Sequence, residues 1–131
     1  MQGRFLVLAG VLGALAVAFG AFGAHGLGDM LSVDALGWVE TASRYQLIHA
    51  AALVGLAALP APAGRLVNAA ALALFFGAFI FGGALYLLAL TDRRWLGAVA
   101  PIGGTLMIIG WCLLIIAGVR GLANRNEGST R

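Results

Sequence analysis

Charged residues break this chain into four apolar blocks. Phe5 to Ala24 carries no ionisable side chain, and a second block lies between Arg44 and Arg65. A third runs from Leu66 to Leu90 and a fourth from Trp95 to Val119, the last bounded by Arg94 and Arg120. About 20 helical residues cross the hydrocarbon core of a bilayer, and each block reaches that length. The blocks are continuously apolar rather than alternating, which excludes a transmembrane β-barrel. The pattern predicts an all-α integral membrane protein, a four transmembrane helix bundle in a single membrane domain over residues 1–131. The expected spans are about 5–24, 45–64, 66–90 and 95–119, followed by a cytoplasmic tail over 120–131.

The connections differ in kind. Ala61–Arg65 and Thr91–Arg94 read as tight turns, so the helices on either side of each should be antiparallel neighbours. Pro60 and Pro62 end the second span. The stretch from 27 to 43 is longer and two-sided. Leu27, Met30, Leu31, Leu36, Trp38 and Val39 give it an apolar side, and Asp29, Asp34 and Glu40 a wet one. It reads as an interfacial segment between helices 1 and 2, a surface helix running into the second span. Trp38, Tyr45 and Trp95 fall at the same boundary, where amphipathic rings gather.

Composition strengthens the membrane reading. The chain is 62% hydrophobic and 10% charged, with a mean hydropathy of +1.00. Soluble domains carry about 25% charged residues, and a fold of this size could not bury so much apolar surface from water. The first block also resembles a signal peptide, with Arg4 before it and small residues at Ala21 and Gly23. Cleavage there would leave an odd number of spans, so the spanning reading is preferred.

Charge sets the orientation. All eight basic residues are arginine. Five of them (Arg4, Arg65, Arg120, Arg125 and Arg131) fall on one face and three (Arg44, Arg93 and Arg94) on the other. The positive-inside rule places the five, and both termini, in the cytoplasm. Scattered over two faces, the arginines offer no row of nucleic-acid contacts.

Small residues four apart, at Ala16/Gly20, Gly20/Ala24, Ala78/Gly82 and Ala100/Gly104, allow close helix approach. Pro101 should bend the fourth helix at the carbonyl of Gly97.

The candidate chemistry gathers at one corner. His25 ends the first span and His49 lies about one turn inside the second. Trp38, Thr41, Tyr45 and His49 follow helical spacings of three and four, with Gln46 flanking that face. Polar groups at membrane depth are costly unless bonded, so this cluster should turn inward. Its plainest role is a hydrogen-bonded clasp from His25 to Tyr45, Gln46 and His49. A proton or solute path through the two histidines is the second reading. Against it, no acidic residue lies deep in any span. A haem or metal site on His25 and His49 is the third, and two ligands without a cysteine partner are few.

Enzyme signatures are missing. Without lysine there is no Schiff-base nucleophile and no phosphate-loop lysine. Ser32, Ser43 and Ser129 lack a nucleophile-elbow context, and Cys112 in an apolar run reads as a packing residue. No catalytic residue, metal ligand set or cofactor is expected.

The segment Gly20-Ala-Phe-Gly-Ala-His-Gly-Leu27, followed by Trp38, Thr41, Tyr45-Gln46 and His49, resembles the YgdD/YwdK family of small bacterial inner-membrane proteins. That family is of unknown function and has mitochondrial relatives. Phe81-Gly-Gly-Ala-Leu-Tyr86, Leu88-Ala-Leu90, Pro101-Ile-Gly-Gly104 and Gly110-Trp111 look like its later segments. The likeness covers residues 4 to 120. It implies a multi-span protein of the bacterial inner membrane and supplies no reaction, substrate or cofactor. The expected function is that of a non-enzymatic accessory or assembly protein, with the bilayer, other membrane proteins or a second copy of the chain as partners. The alternative is a small transporter or channel component built on the His25/His49 corner.

Overall fold

A computed structural model describes residues 3–60 and 63–129, with side chains as far as Asn124. It contains four helices: α1 (Gly3–His25), α2 (Val33–Ala57), α3 (Arg65–Thr91) and α4 (Leu96–Ser129). Among the described residues, three helices are long and apolar enough to cross a membrane, namely Gly3–His25, Arg65–Thr91 and Leu96–Asn124. The chain is a helical membrane protein. α2 is the helix that length and hydropathy alone do not single out, because Asp34, Glu40 and Arg44 lie in its first half.

The boundaries of α2 differ most from expectation. Residues 33–43, expected as a surface segment, are the first turns of α2 itself. Ser32 caps them, its hydroxyl accepting from the Ala35 N–H at 3.2 Å, with Asp34 in the first turn to complement the helix dipole. An apolar stripe at Ala35, Val39 and Ala42 then carries the helix straight on along α1. A methyl group added at Gly23 would meet Val39 at 2.9 Å, one at Gly20 the Ser43 hydroxyl at 2.6 Å, and one at Gly13 would touch Ala50 at 3.9 Å. The two helices are therefore antiparallel over most of their length, with residues 33–43 continuing the line of α2 along α1. The turn that reverses the chain is short. Both Gly26 and Leu27 donate to the Phe22 carbonyl at 2.8 Å, closing α1, and only residues 26–32 remain as connection.

α2 ends at Ala57, earlier than the expected 64, and Pro60 follows. Ala61 and Pro62 of the expected tight turn lie outside the described residues, as do the side chains of Arg125, Glu127 and Arg131. At the far end of α3, Asp92 adopts the left-handed conformation (φ 52°) and its N–H reaches the Leu88 carbonyl at 2.9 Å. Aspartate tolerates that region better than most side chains. α4 continues through Pro101 and does not stop at 119, so residues 120–129 are helix.

Each helix packs on its neighbour in sequence, and α1 also touches α3; among the described residues, the backbone of α4 approaches α3 alone. That contact is a glycine seam. A methyl group on Gly103 would fall 2.5 Å from the Phe81 nitrogen, and one on Gly77 2.8 Å from the Gly103 carbonyl. Gly110 faces Leu74 at 2.7 Å in the same way. Small residues let backbones meet when lipid supplies no hydrophobic drive. Of the expected small pairs, Gly20 and Gly82 lie at close approaches, whereas Gly104 faces open space and Ala24 is exposed.

Two apolar cores result. Near the chain termini, Phe5, Leu12, Leu53, Leu74, Phe75 and Met107 pack together. Near the opposite end, Val39, Ala42, Leu85, Leu88, Leu96 and Ala100 form the second. On α2 the first core uses residues 50–57 and the second 35–42. The polar side chains of 43–49 occupy the gap.

Candidate functional site

That gap is the candidate site. Among the described residues, Ser43, Gln46 and His49 are the buried polar ones, Gln46 only 1% exposed. Each is bonded to a different helix. The Ser43 hydroxyl donates to the Ala16 carbonyl of α1 at 2.8 Å. Gln46 accepts from the Tyr86 hydroxyl of α3 at 2.9 Å, and its amide donates weakly to the Ala78 carbonyl at 3.5 Å. Gly82 makes this possible, since a methyl group there would press on Gln46 Cδ at 2.6 Å. Tyr86 in turn stacks on Phe19 of α1, ring centroids 4.0 Å apart and 13° from parallel.

His49 completes the layer. Its Nδ1 lies 2.7 Å from the Tyr45 carbonyl, which can only accept, so Nδ1 carries a proton. Its Nε2 lies 3.2 Å from Trp111 Nε1, which can only donate, so Nε2 presents its lone pair. The geometry assigns the neutral Nδ1–H tautomer, and each ring nitrogen has a partner within the chain. An unsatisfied buried polar group costs about 1–3 kcal/mol, so these bonds chiefly prevent a penalty.

The sequence-predicted residues separate into two groups. Gln46 and His49 are in the layer. Tyr45 stands at its edge, 42% exposed, its ring 4.9 Å from Phe81. Trp38 is half-buried against the second core, and Thr41 is exposed. His25 is not brought to the cluster. It is exposed at the end of α1, beside Val17, Ala18, Ala21 and Phe22, and lines a different pocket from His49. The expected clasp between the two histidines is corrected accordingly: the layer closes through Ser43, Tyr86 and Trp111. The buried stripe of α2 runs Val39, Ala42, Gln46, His49 and Leu53; it shares His49 with the expected face and has Val39, Ala42 and Gln46 in place of Trp38, Thr41 and Tyr45.

Above the layer, Arg44 pairs with Glu40 one turn away, both exposed; such pairs contribute little to stability. At the opposite end, Arg4 donates to Asn68 Oδ1 at 2.7 Å, tying the start of α1 to α3. Among the described residues, no group of three or more histidine, cysteine, aspartate or glutamate side chains is placed to hold a metal ion.

Residues 19–104 match the family described as Protein of unknown function (DUF423). The chain belongs to that family. The DUF423 match takes in the end of α1, the polar layer of α2 and α3 with Tyr86, and stops before Trp111. A UPF0382 membrane protein of Staphylococcus epidermidis is 46% identical over 113 residues, covering 86% of this chain and 93% of that protein. The UPF0382 inner membrane protein YgdD of Escherichia coli is 36% identical over 122 residues, 92% of this chain and 93% of its own. A UPF0382 membrane protein of Haemophilus influenzae is 35% identical over 114 residues. The resemblance to YgdD is thereby established, and with it membership of an uncharacterised family of membrane proteins. No solved structure matches the chain.

Ser43, Tyr86 and Trp111 are the layer residues that the sequence did not single out for a site. Tyr86 and Trp111 stand in the later family-like segments, but nothing local pairs them with Gln46 and His49.

Proposed function

We propose that this chain is a multi-pass protein of the inner membrane, spanning four times with both termini cytoplasmic. We further propose that it acts without catalysis, as an accessory or assembly protein that packs on another membrane component through α4. The four-span reading is supported by depth: Ala50 of α2 lies level with Gly13, midway along α1, and Val39 with Gly23 near its end. The arginine bias supports the orientation. Reporter fusions at each loop test both, and a periplasmic C-terminus would overturn the topology.

One observation carries the functional reading. Of the apolar window of α4 only 17% is buried, against 22% in α1 and 50% in α3. The exposed face is ordered: Ile102, Ile109 and Ile116 recur every seven residues, as do Ile108, Ile115 and Leu122 beside them. A seven-residue apolar repeat is the spacing by which one helix meets another side by side. Cys112, the chain's one cysteine, is exposed on this helix and serves as a native reporter. Thiol crosslinking in intact membranes should give a discrete adduct heavier than the protomer, lost in Cys112→Ala and restored by Ile115→Cys. A strict monomer in native-detergent mass measurements, with no adduct from either position, would remove the reading.

His25 and His49 line separate pockets, which favours the packing reading over a path through the two rings.

A further inference from the structure

The backbones of α2 and α4 do not meet, and their separation leaves a slot of about 260 Å³ over α3. Tyr45 and His49 form one wall, Gly104 and Met107 the other, with Phe81 and Trp111 between them. The Trp111–His49 hydrogen bond spans the gap. No charged residue lines the slot. Gly104 faces open space, with nothing within 4 Å of where a Cβ would stand. Tyr45 and Trp111 are each more than two-fifths exposed, so the slot opens sideways toward lipid.

Three features define an occupant. First, the rings of one wall are nearly parallel, Tyr45 and His49 lying 11° apart, while the others stand at angles to them: Phe81 is tilted 47° from Tyr45 and Trp111 64° from His49. Such walls favour a flat ring that can stack on one side and meet an edge on another. Second, the polar atoms of His49 and the Trp111 indole are already engaged. The Tyr45 hydroxyl makes no hydrogen bond to a described residue, which leaves one donor for a ligand acceptor. Third, the volume lies just below the roughly 300–1,000 Å³ of pockets that hold whole drug-sized ligands. It accommodates a ring while a tail stays in the bilayer.

We propose that this slot binds the ring of an uncharged, membrane-soluble quinone, with the Tyr45 hydroxyl donating to a ring carbonyl. No electron transfer is implied. The slot borders the α4 interaction face and shares Ile108 with it, but the quinone reading does not rest on that interaction.

The test uses the full chain in phosphatidylcholine nanodiscs, in a Trp38→Phe/Trp95→Phe background that leaves Trp111 as the sole tryptophan. Decylubiquinone is the probe and quenching of Trp111 fluorescence the readout. Saturable quenching is expected. Tyr45→Phe should raise the apparent Kd about five-fold, the effect of one lost hydrogen bond. Gly104→Leu, which fills the slot, should abolish the saturable phase while leaving the circular-dichroism melt in place. Should that variant unfold, Tyr45→Phe decides alone. Quenching that rises linearly with quinone in the parent reports partitioning only and overturns the proposal. So does a saturable phase indifferent to Tyr45→Phe, or one that survives in folded Gly104→Leu. Equal displacement by decanol, which has no ring, would make the slot an acyl-chain groove and overturn it too.

Discussion

Trp111 Nε1 donates to His49 Nε2 across 3.2 Å and 62 residues of sequence, joining two helices whose backbones never touch. The bond fixes which nitrogen of His49 holds its proton. In 15N NMR of detergent-solubilised protein, His49 should give one protonated ring nitrogen, Nδ1, and one bare nitrogen. Trp111→Phe should move the Nε2 signal and leave Nδ1 nearly unchanged. A protonated Nε2 in the parent would contradict the assignment.

The two histidines should differ in their contribution to stability. His49→Ala removes a buried ring and strands the Trp111 indole; His25→Ala removes an exposed one. We expect a loss of about 1–3 kcal/mol for the first and near zero for the second, measured by unfolding in mixed detergent. Equal stabilities of both variants and the parent would contradict this account of the polar layer.

Gly82 and Gln46 should behave as a coupled pair. Gly82→Ala thrusts a methyl group into the Gln46 side chain and should cost about 1–3 kcal/mol. In a Gln46→Ala background the same change should cost much less, since its obstacle is gone. A double-mutant cycle measures the difference, and additive effects would show that the two do not meet.

Adjacent glycines on α4 should respond in opposite ways. Gly103→Ala forces α4 off α3, because the new methyl group meets Phe81 backbone and side chain. Gly104→Ala meets nothing and should stabilise the helix by roughly 0.5–1 kcal/mol. Limited proteolysis and thermal melts of the two variants side by side should show loosening in the first alone.

How much of this is legible in sequence follows from the range of each interaction. α1, α3 and α4 are read from their uninterrupted apolar runs, which depend on nothing outside themselves. α2 is read only in its second half, as the block after Arg44; Asp34, Glu40 and Arg44 lower the hydropathy of its first half, whose buried stripe, narrow and built partly of alanine, leaves little signal. Gln46 and His49 stand out as polar groups in an apolar setting. Their partners do not: Tyr86 is 40 residues from Gln46, and Trp111 looks like any aromatic in a membrane helix. His25 is misjudged for a related reason. Proximity to the motif in sequence suggests proximity in space, yet the last turn of α1 directs its ring outward. The glycine seam is half legible, since spacing shows that glycines could meet a neighbour and not which of Gly103 and Gly104 does.

The polar layer also acts as a register mark. Four bonds cross between helices at this one level: Ser43 to Ala16, Gln46 to Ala78, Tyr86 to Gln46 and Trp111 to His49. Sliding α2 by a single turn, about 5.4 Å, would break all four together and carry Gln46 into one of the apolar cores. A helix in a fluid bilayer ordinarily adjusts to thinning by tilting or shifting on its own. Pinned at mid-height, these helices must ride up or down as one piece, and a change in membrane thickness is met by the whole bundle.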